Sequence, residues 1–100
     1  MGAPVSTAVA VRAYLAWCRV DKGLSANTLA SYEFDLKRFA EYLAHSAPSG
    51  AGAPGCDTAT VRAYVDSLYA DGLSSRTIAR HLTTLRNYFL YLVREGQISC

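Results

Sequence analysis

Two segments of this chain open in the same way. Gly23-Leu24-Ser25-x-x-Thr28-Leu29-Ala30 is matched by Gly72-Leu73-Ser74-x-x-Thr77-Ile78-Ala79. In each copy the glycine ends one helix and the serine is placed to cap the next. Its hydroxyl can accept from an orphan backbone N–H two or three residues on, which contributes about 1 kcal/mol. Leu24 on Leu29, and Leu73 on Ile78, form hydrophobic staples that set the angle at which the chain approaches each helix. The pattern is S-x-x-T rather than S-x-x-E, so the reciprocal half of a capping box is missing. Helix–Gly–Leu–Ser–helix written twice in 100 residues predicts two helical hairpins.

Apolar residues at helical spacing fill in those hairpins. The first helix is expected from Thr7 to about Lys22, with Val11, Tyr14, Leu15 and Cys18 on one face. A second, from Ala26 to about Ala44, buries Leu29, Tyr32, Leu36, Phe39 and Leu43. The next segment, His45 to Cys56, is almost wholly Ala, Gly, Ser and Pro and reads as a flexible loop. The third helix, Thr58 to Ala70, carries Val61, Tyr64, Val65 and Leu68 inward. The fourth, Ser75 to about Glu95, carries Ile78, Leu82, Leu85, Phe89 and Leu92 and stops at Gly96. No stretch alternates at the period of a strand, so the expected class is all-α: one domain over residues 7–96 after a disordered start at 1–6.

Composition limits what such a domain can do. Hydrophobic residues make up 51% of the chain, enough for one small core and too many for a disordered tail. A net charge of +2 cannot by itself carry nucleic-acid binding; only the placement of charge can. Of ten basic residues eight are Arg, whose planar fork suits phosphates and guanine edges. The cysteines Cys18, Cys56 and Cys100 are odd in number and lack metal-ligand spacing, which points to free thiols in a reducing compartment. There is no apolar run of the roughly 18 residues a membrane span needs, nor a basic segment leading an apolar run at Met1–Val11. A soluble, cytoplasmic protein is expected, with no membrane partner, metal, cofactor or small-molecule ligand.

The distribution of charge is more specific. Counted at 100° per residue, the fourth helix sets Arg76, Arg80, Thr83, Thr84, Asn87 and Arg94 opposite its apolar stripe. Ser74 to Arg94 contains four arginines and no acidic residue, so the i,i+4 pairs of opposite sign that support a solvated helix are absent. Arg76 and Arg80 repel one another weakly at the helix end that favours anions. Either phosphate supplies the missing negative charge, or the face is ordinary solvated surface. On the second helix the outer face reads Asn27, Ser31, Phe34, Arg38 and Glu41, with Lys37 to one side. Asn27, Thr28 and Ser31 suit phosphate or base-edge contacts, though Asn27 and Thr28 also suit a role confined to the cap. Phe34 is a large apolar side chain opposite the core. A thymine methyl, a sugar, a partner surface, or simple tolerance on the surface would each accommodate it.

No catalytic constellation is visible. The carboxylates stand singly, and neither His45 nor His81 has a recognisable nucleophile partner, His81 fitting a half-buried packing position. Glycines 50, 52 and 55 lie in the linker and follow no strand.

The ordered set of these residues resembles the core-binding domain of tyrosine recombinases, the Xer group of chromosome and plasmid resolvases and the phage-type integrases above all. The resemblance rests on Leu24, Ser25, Thr28, Tyr32, Asp35 and Leu36, then on Gly72 through Leu92, and covers about residues 10–96. It implies a four-helix SAM-like bundle of the integrase N-terminal type, forming one half of a clamp on duplex DNA with the second and fourth helices facing it. Arg76, Thr77, Arg80 and Thr84 on the fourth helix, and Asn27, Thr28, Ser31 and Lys37 on the second, are the implied DNA contacts, to which the polar faces add Asn87 and Arg38 as candidates; residues 97–100 would then begin the interdomain linker. Arg86, also typical of the family, flanks the apolar stripe and suits packing as well as DNA. Phe34 departs from the basic or polar residue common at that place. The parent recombinase would add a catalytic domain with an Arg/Lys/His/Arg set and a nucleophilic tyrosine, absent here, and would meet other recombinase protomers on DNA. A protein-interaction helical bundle and a stand-alone DNA-binding regulator are the alternatives.

Overall fold

The apolar periodicities are realised as helices. The structure, a computed structural model, describes residues 7–46 and 58–96. Those residues form α1 (Thr7–Val20), α2 (Ala26–Ser46), α3 (Thr58–Ala70) and α4 (Ser75–Arg94), and no strand occurs among them. The all-α expectation holds. Two boundaries move: α1 ends before Lys22, and α2 continues through His45 and Ser46, which composition had assigned to the loop. The extension has a local cause. Nδ1–H of His45 donates to the Glu41 carbonyl at 2.8 Å, satisfying an acceptor at the helix end. The rest of the expected loop, with Cys56, and the terminal segments 1–6 and 97–100, with Cys100, lie outside the described residues.

The chain divides into two compact units, one holding α1 and α2, the other α3 and α4. In the first, α1 packs on α2. Ala10, Val11, Tyr14 and Cys18 are buried on α1, and Leu36, Phe39 and Leu43 on α2. Cys18 is a free thiol with no exposed surface, packed in the interior of the hairpin beside Tyr14. In the second unit, Tyr64 and Leu68 of α3 are buried together with Ile78, Leu85, Tyr88 and Leu92 of α4. Burying a side chain of this size contributes about 1.5–3 kcal/mol.

The duplication goes well beyond the two caps. Val11-Arg12-Ala13-Tyr14 of α1 returns as Val61-Arg62-Ala63-Tyr64 of α3, and Cys18 corresponds to Leu68. Across α2 and α4, Asp35, Leu36, Phe39 and Leu43 are buried where Thr84, Leu85, Tyr88 and Leu92 are buried. Asn27, Ser31, Phe34 and Lys37 are exposed where Arg76, Arg80, Thr83 and Arg86 are exposed. Each unit is one copy of the same amphipathic hairpin, and the copies differ mainly at the margins: Val11 is buried where Val61 is half-buried, and Ile78 and His81 are buried where Leu29 and Tyr32 are half-buried.

The joints explain why the copies agree. At the end of α3, Gly72 takes φ 85°. Its N–H donates to the Tyr69 carbonyl at 3.0 Å, and Leu73 N–H reaches back to the Leu68 carbonyl at 3.2 Å. This is a Schellman closure, which needs the left-handed backbone that glycine adopts without a Cβ clash. The first copy has one more residue in the turn, Lys22. Gly23 is again left-handed at φ 62°, and Leu24 N–H reaches Cys18, one residue further back, at 3.3 Å. Both turns end on a serine cap. Thr28 N–H donates to Ser25 Oγ at 3.3 Å and Thr77 N–H to Ser74 Oγ at 3.2 Å. Each serine hydroxyl in turn donates to the threonine hydroxyl, at 3.1 Å in both copies. Threonine thus completes the cap through its own oxygen, where a capping box would use a carboxylate.

Candidate nucleic-acid interface

The residues singled out on α4 separate once its buried side is known. Ile78, His81, Thr84, Leu85, Tyr88 and Leu92 are buried. The centre of that set lies roughly 60° around the helix from the stripe drawn through the aliphatic residues and Phe89. Two consequences follow. Thr84, expected on the outer face, is only 1% exposed and cannot reach a ligand from there. Leu82, expected in the core, is 38% exposed, and Phe89 is half-buried. The cause is that α4 meets α3 through its amphipathic residues. His81 packs edge-on against Tyr64 with ring centroids 6.3 Å apart at 68°, and the Tyr64 hydroxyl lies 3.5 Å from His81 Nδ1. Nearly all of His81 is shielded, beyond the half-burial its position suggested. Aliphatic periodicity could not register a seam built from His, Thr and Tyr.

The outward side of α4 divides into a cationic and polar part and an apolar part, the latter formed by Leu82, Leu90 and Val93. Arg76, Arg80, Thr83 and Arg86 are exposed, whereas Thr77 and Asn87 are half-buried. The Thr77 hydroxyl is engaged by the Ser74 cap, and Thr83 Oγ1 donates to the Ala79 carbonyl at 3.1 Å. Arg86 is the candidate that periodicity undervalued by placing it at the core margin. The signal that identifies it is the internal repeat, in which it corresponds to Lys37, a cation exposed on α2. At the far end, Arg94 meets Glu95 at 3.9 Å with both side chains well exposed, a pair of little energetic weight.

On α2, Asn27, Ser31 and Lys37 are exposed, and Thr28 and Arg38 are half-buried. Thr28 serves the Ser25 cap through its N–H and its hydroxyl. Asn27 therefore stays outward while Thr28 is tied to the helix end. Phe34 is 58% exposed on the same face, opposite Leu36, Phe39 and Leu43. Asp35, part of the motif that α2 carries, is only 1% exposed and belongs to the interior of the hairpin.

Among the described residues no group of three or more His, Cys, Asp or Glu side chains could hold a metal ion. Desolvation pushes the Tyr88 phenol up to about 12, and burial, helped by a hydrogen bond with Cys18, raises Tyr14 further still. Both phenols are thereby made poorer nucleophiles, as befits packing residues. No described helix is long and apolar enough to cross a membrane.

Comparison with known proteins agrees with this geometry. The family model described as phage integrase, N-terminal SAM-like domain matches residues 11–96. A tyrosine recombinase XerC from Halalkalibacterium halodurans is 36% identical over 86 residues, covering 85% of this chain and 27% of the relative. A tyrosine recombinase XerD from Listeria monocytogenes is 32% identical over 87 residues, covering 86% of this chain and 29% of the relative. A XerD from Staphylococcus haemolyticus is 32% identical over 85 residues, covering 85% of this chain and 28% of the relative. The chain thus spans less than a third of the length of these relatives. No solved structure matches it. An all-α pair of capped hairpins, matched over nearly all its described residues, places the chain in the phage integrase N-terminal SAM-like domain family.

Proposed function

We propose that this chain is a duplex-DNA-binding domain that acts as part of a site-specific tyrosine recombinase in the cytoplasm. The observation that carries this reading is the outward face of α4, where Arg76, Arg80 and Arg86 are exposed and no acidic residue occurs from Ser74 to Arg94. A helix that presents arginines and carries no carboxylate of its own suits a surface that receives negative charge from a phosphate backbone. Asn27, Ser31, Lys37 and Arg38 supply the hydrogen-bonding and cationic counterpart on α2. Strand cleavage and rejoining in the parent recombinase are assigned to sequence outside these 100 residues. Named relatives that are tyrosine recombinases support this assignment.

The test is anisotropy of a labelled duplex titrated with this chain at several salt concentrations, beside an Arg76→Ala/Arg80→Ala variant. Binding that weakens steeply with salt, and a variant with a shallower slope and lower affinity, support the reading. Each lost phosphate contact lowers the log–log slope by about 0.9. Absence of binding at low salt, with the variant equally folded, overturns it.

A second reading has its own observation. Along α4 an apolar groove of about 450 Å³ is lined by Leu82, Leu85, Phe89, Leu90 and Val93, with Val61 of α3 and with Arg86 at its side. Leu90 is 59% exposed and Val93 41%. Contiguous apolar surface of this kind suits a protein partner, a further recombinase protomer included. As the sole function, it predicts a defined oligomer and no affinity for DNA.

A further inference from the structure

We infer that Phe34 reads thymine, by packing its ring against the C5-methyl group in the major groove; this rests on the DNA-binding reading above. The ring is 58% exposed in the middle of a helix whose apolar residues Leu36, Phe39 and Leu43 are buried on the other side. Its neighbours on the outer face are Asn27 and Ser31 toward the N-terminus and Arg38 toward the C-terminus, with Lys37 beside them. Two exposed carboxylates share the helix, Glu33 to one side of Phe34 and Glu41 one turn beyond Arg38; both would repel phosphate, which suits a base-edge contact for the ring better than a backbone one.

The internal repeat supplies an independent placement. Phe34 corresponds to Thr83, so it occupies in its own hairpin the register between the counterparts of Arg80 and Arg86, namely Ser31 and Lys37. The face that bears the arginines on α4 is the face that bears Phe34 on α2.

The surroundings also discriminate between occupants. A protein-docking patch needs contiguous apolar area, as the α4 groove has. Phe34 instead is the one large apolar side chain exposed on its face, flanked by Ser31, Lys37 and Arg38, with the small Ala30 one turn before it and Glu33 to one side. In the major groove the base edges are hydrogen-bonding groups, and thymine adds one apolar methyl. A single ring set among polar side chains matches that pattern of a single apolar spot among polar edges.

The experiment compares the 100-residue chain with Phe34→Ala and Phe34→Leu on two labelled A·T-rich duplexes. One is made with thymidine and the other with deoxyuridine throughout, which removes only the methyl groups. The unsubstituted chain should bind the thymidine duplex about fourfold more tightly for one methyl buried. Phe34→Ala should bind both duplexes alike, and Phe34→Leu should keep part of the preference. Helical circular dichroism confirms that the exposed substitutions leave the fold intact. If Phe34→Ala and the unsubstituted chain share one thymidine-to-deoxyuridine ratio, the inference fails while DNA binding stands. Equal weakening of Phe34→Ala on both duplexes, with no preference in the unsubstituted chain, assigns the ring to a sugar and overturns the methyl contact. No salt-dependent binding of the unsubstituted chain to either duplex overturns the DNA reading and this inference together, leaving Phe34 to a protein partner.

Discussion

Tyr64 and His81 join α3 to α4, ring against ring at 6.3 Å, in the place where Tyr14 and Tyr32 join α1 to α2 at 6.4 Å. The second copy of the hairpin has an imidazole where the first has a phenol, and the rings meet at 68° instead of 15°. The Tyr64 hydroxyl, 3.5 Å from Nδ1, is a long contact. Tyr64→Phe should therefore cost about 1 kcal/mol and leave the helices formed. A thermal melt followed by circular dichroism reads the loss, and an unchanged midpoint would show that the hydroxyl contributes nothing.

The joint between α3 and α4 should be sensitive to single atoms. Gly72 has φ 85°, and the place a Cβ would take is open, with no other atom within 4 Å. Gly72→Ala therefore meets backbone strain and no steric clash with its neighbours. The expected cost is about 1–2 kcal/mol. Ser74→Ala removes the acceptor of Thr77 N–H and should cost about 1 kcal/mol. Equilibrium urea unfolding of both variants measures these values directly.

Thr84 and Arg86 should behave oppositely. Arg86→Ala is expected to leave the melting temperature unchanged and to weaken duplex binding, with a salt slope lower by about 0.9. Thr84→Arg forces a charge into a position that is 1% exposed and should destabilise the domain severely. If Thr84→Arg folded normally and bound duplex more tightly, the outer face of α4 would have to be redrawn.

Alkaline pH should loosen the fold through its buried phenols. Desolvation raises Tyr88 to about 12, so the folded chain keeps a proton that the unfolded chain releases near the ordinary value of 10. The stability this reflects is fully present below about pH 10 and is lost as pH rises toward 12, by roughly 2–3 kcal/mol at most. Tyr14, raised by burial first and by its hydrogen bond with Cys18 next, acts in the same direction. Urea midpoints measured from pH 9 to pH 12 should fall, and Tyr88→Phe should flatten part of that decline.

Much of this protein is written in local sequence. Gly23, Ser25, Gly72 and Ser74 determine by themselves where the chain turns and where α2 and α4 begin, because a left-handed glycine and a serine cap act over three or four residues. The exposed positions of Asn27, Ser31, Lys37, Arg76 and Arg80 were legible for the same reason: polar and cationic side chains at helical spacing stay in water. Tertiary packing decided the rest. Thr84 went inward and Leu82 outward because α4 settles against α3 through His81 and Tyr64, a fit between amphipathic rings that no hydrophobic count weighs. His45 joined α2 through a hydrogen bond to Glu41 that composition cannot register. Arg86 became a surface cation only once that rotation of α4 was set. Capping is local and shows in the residue types themselves, whereas the azimuth of a helix is chosen by the whole surface it meets.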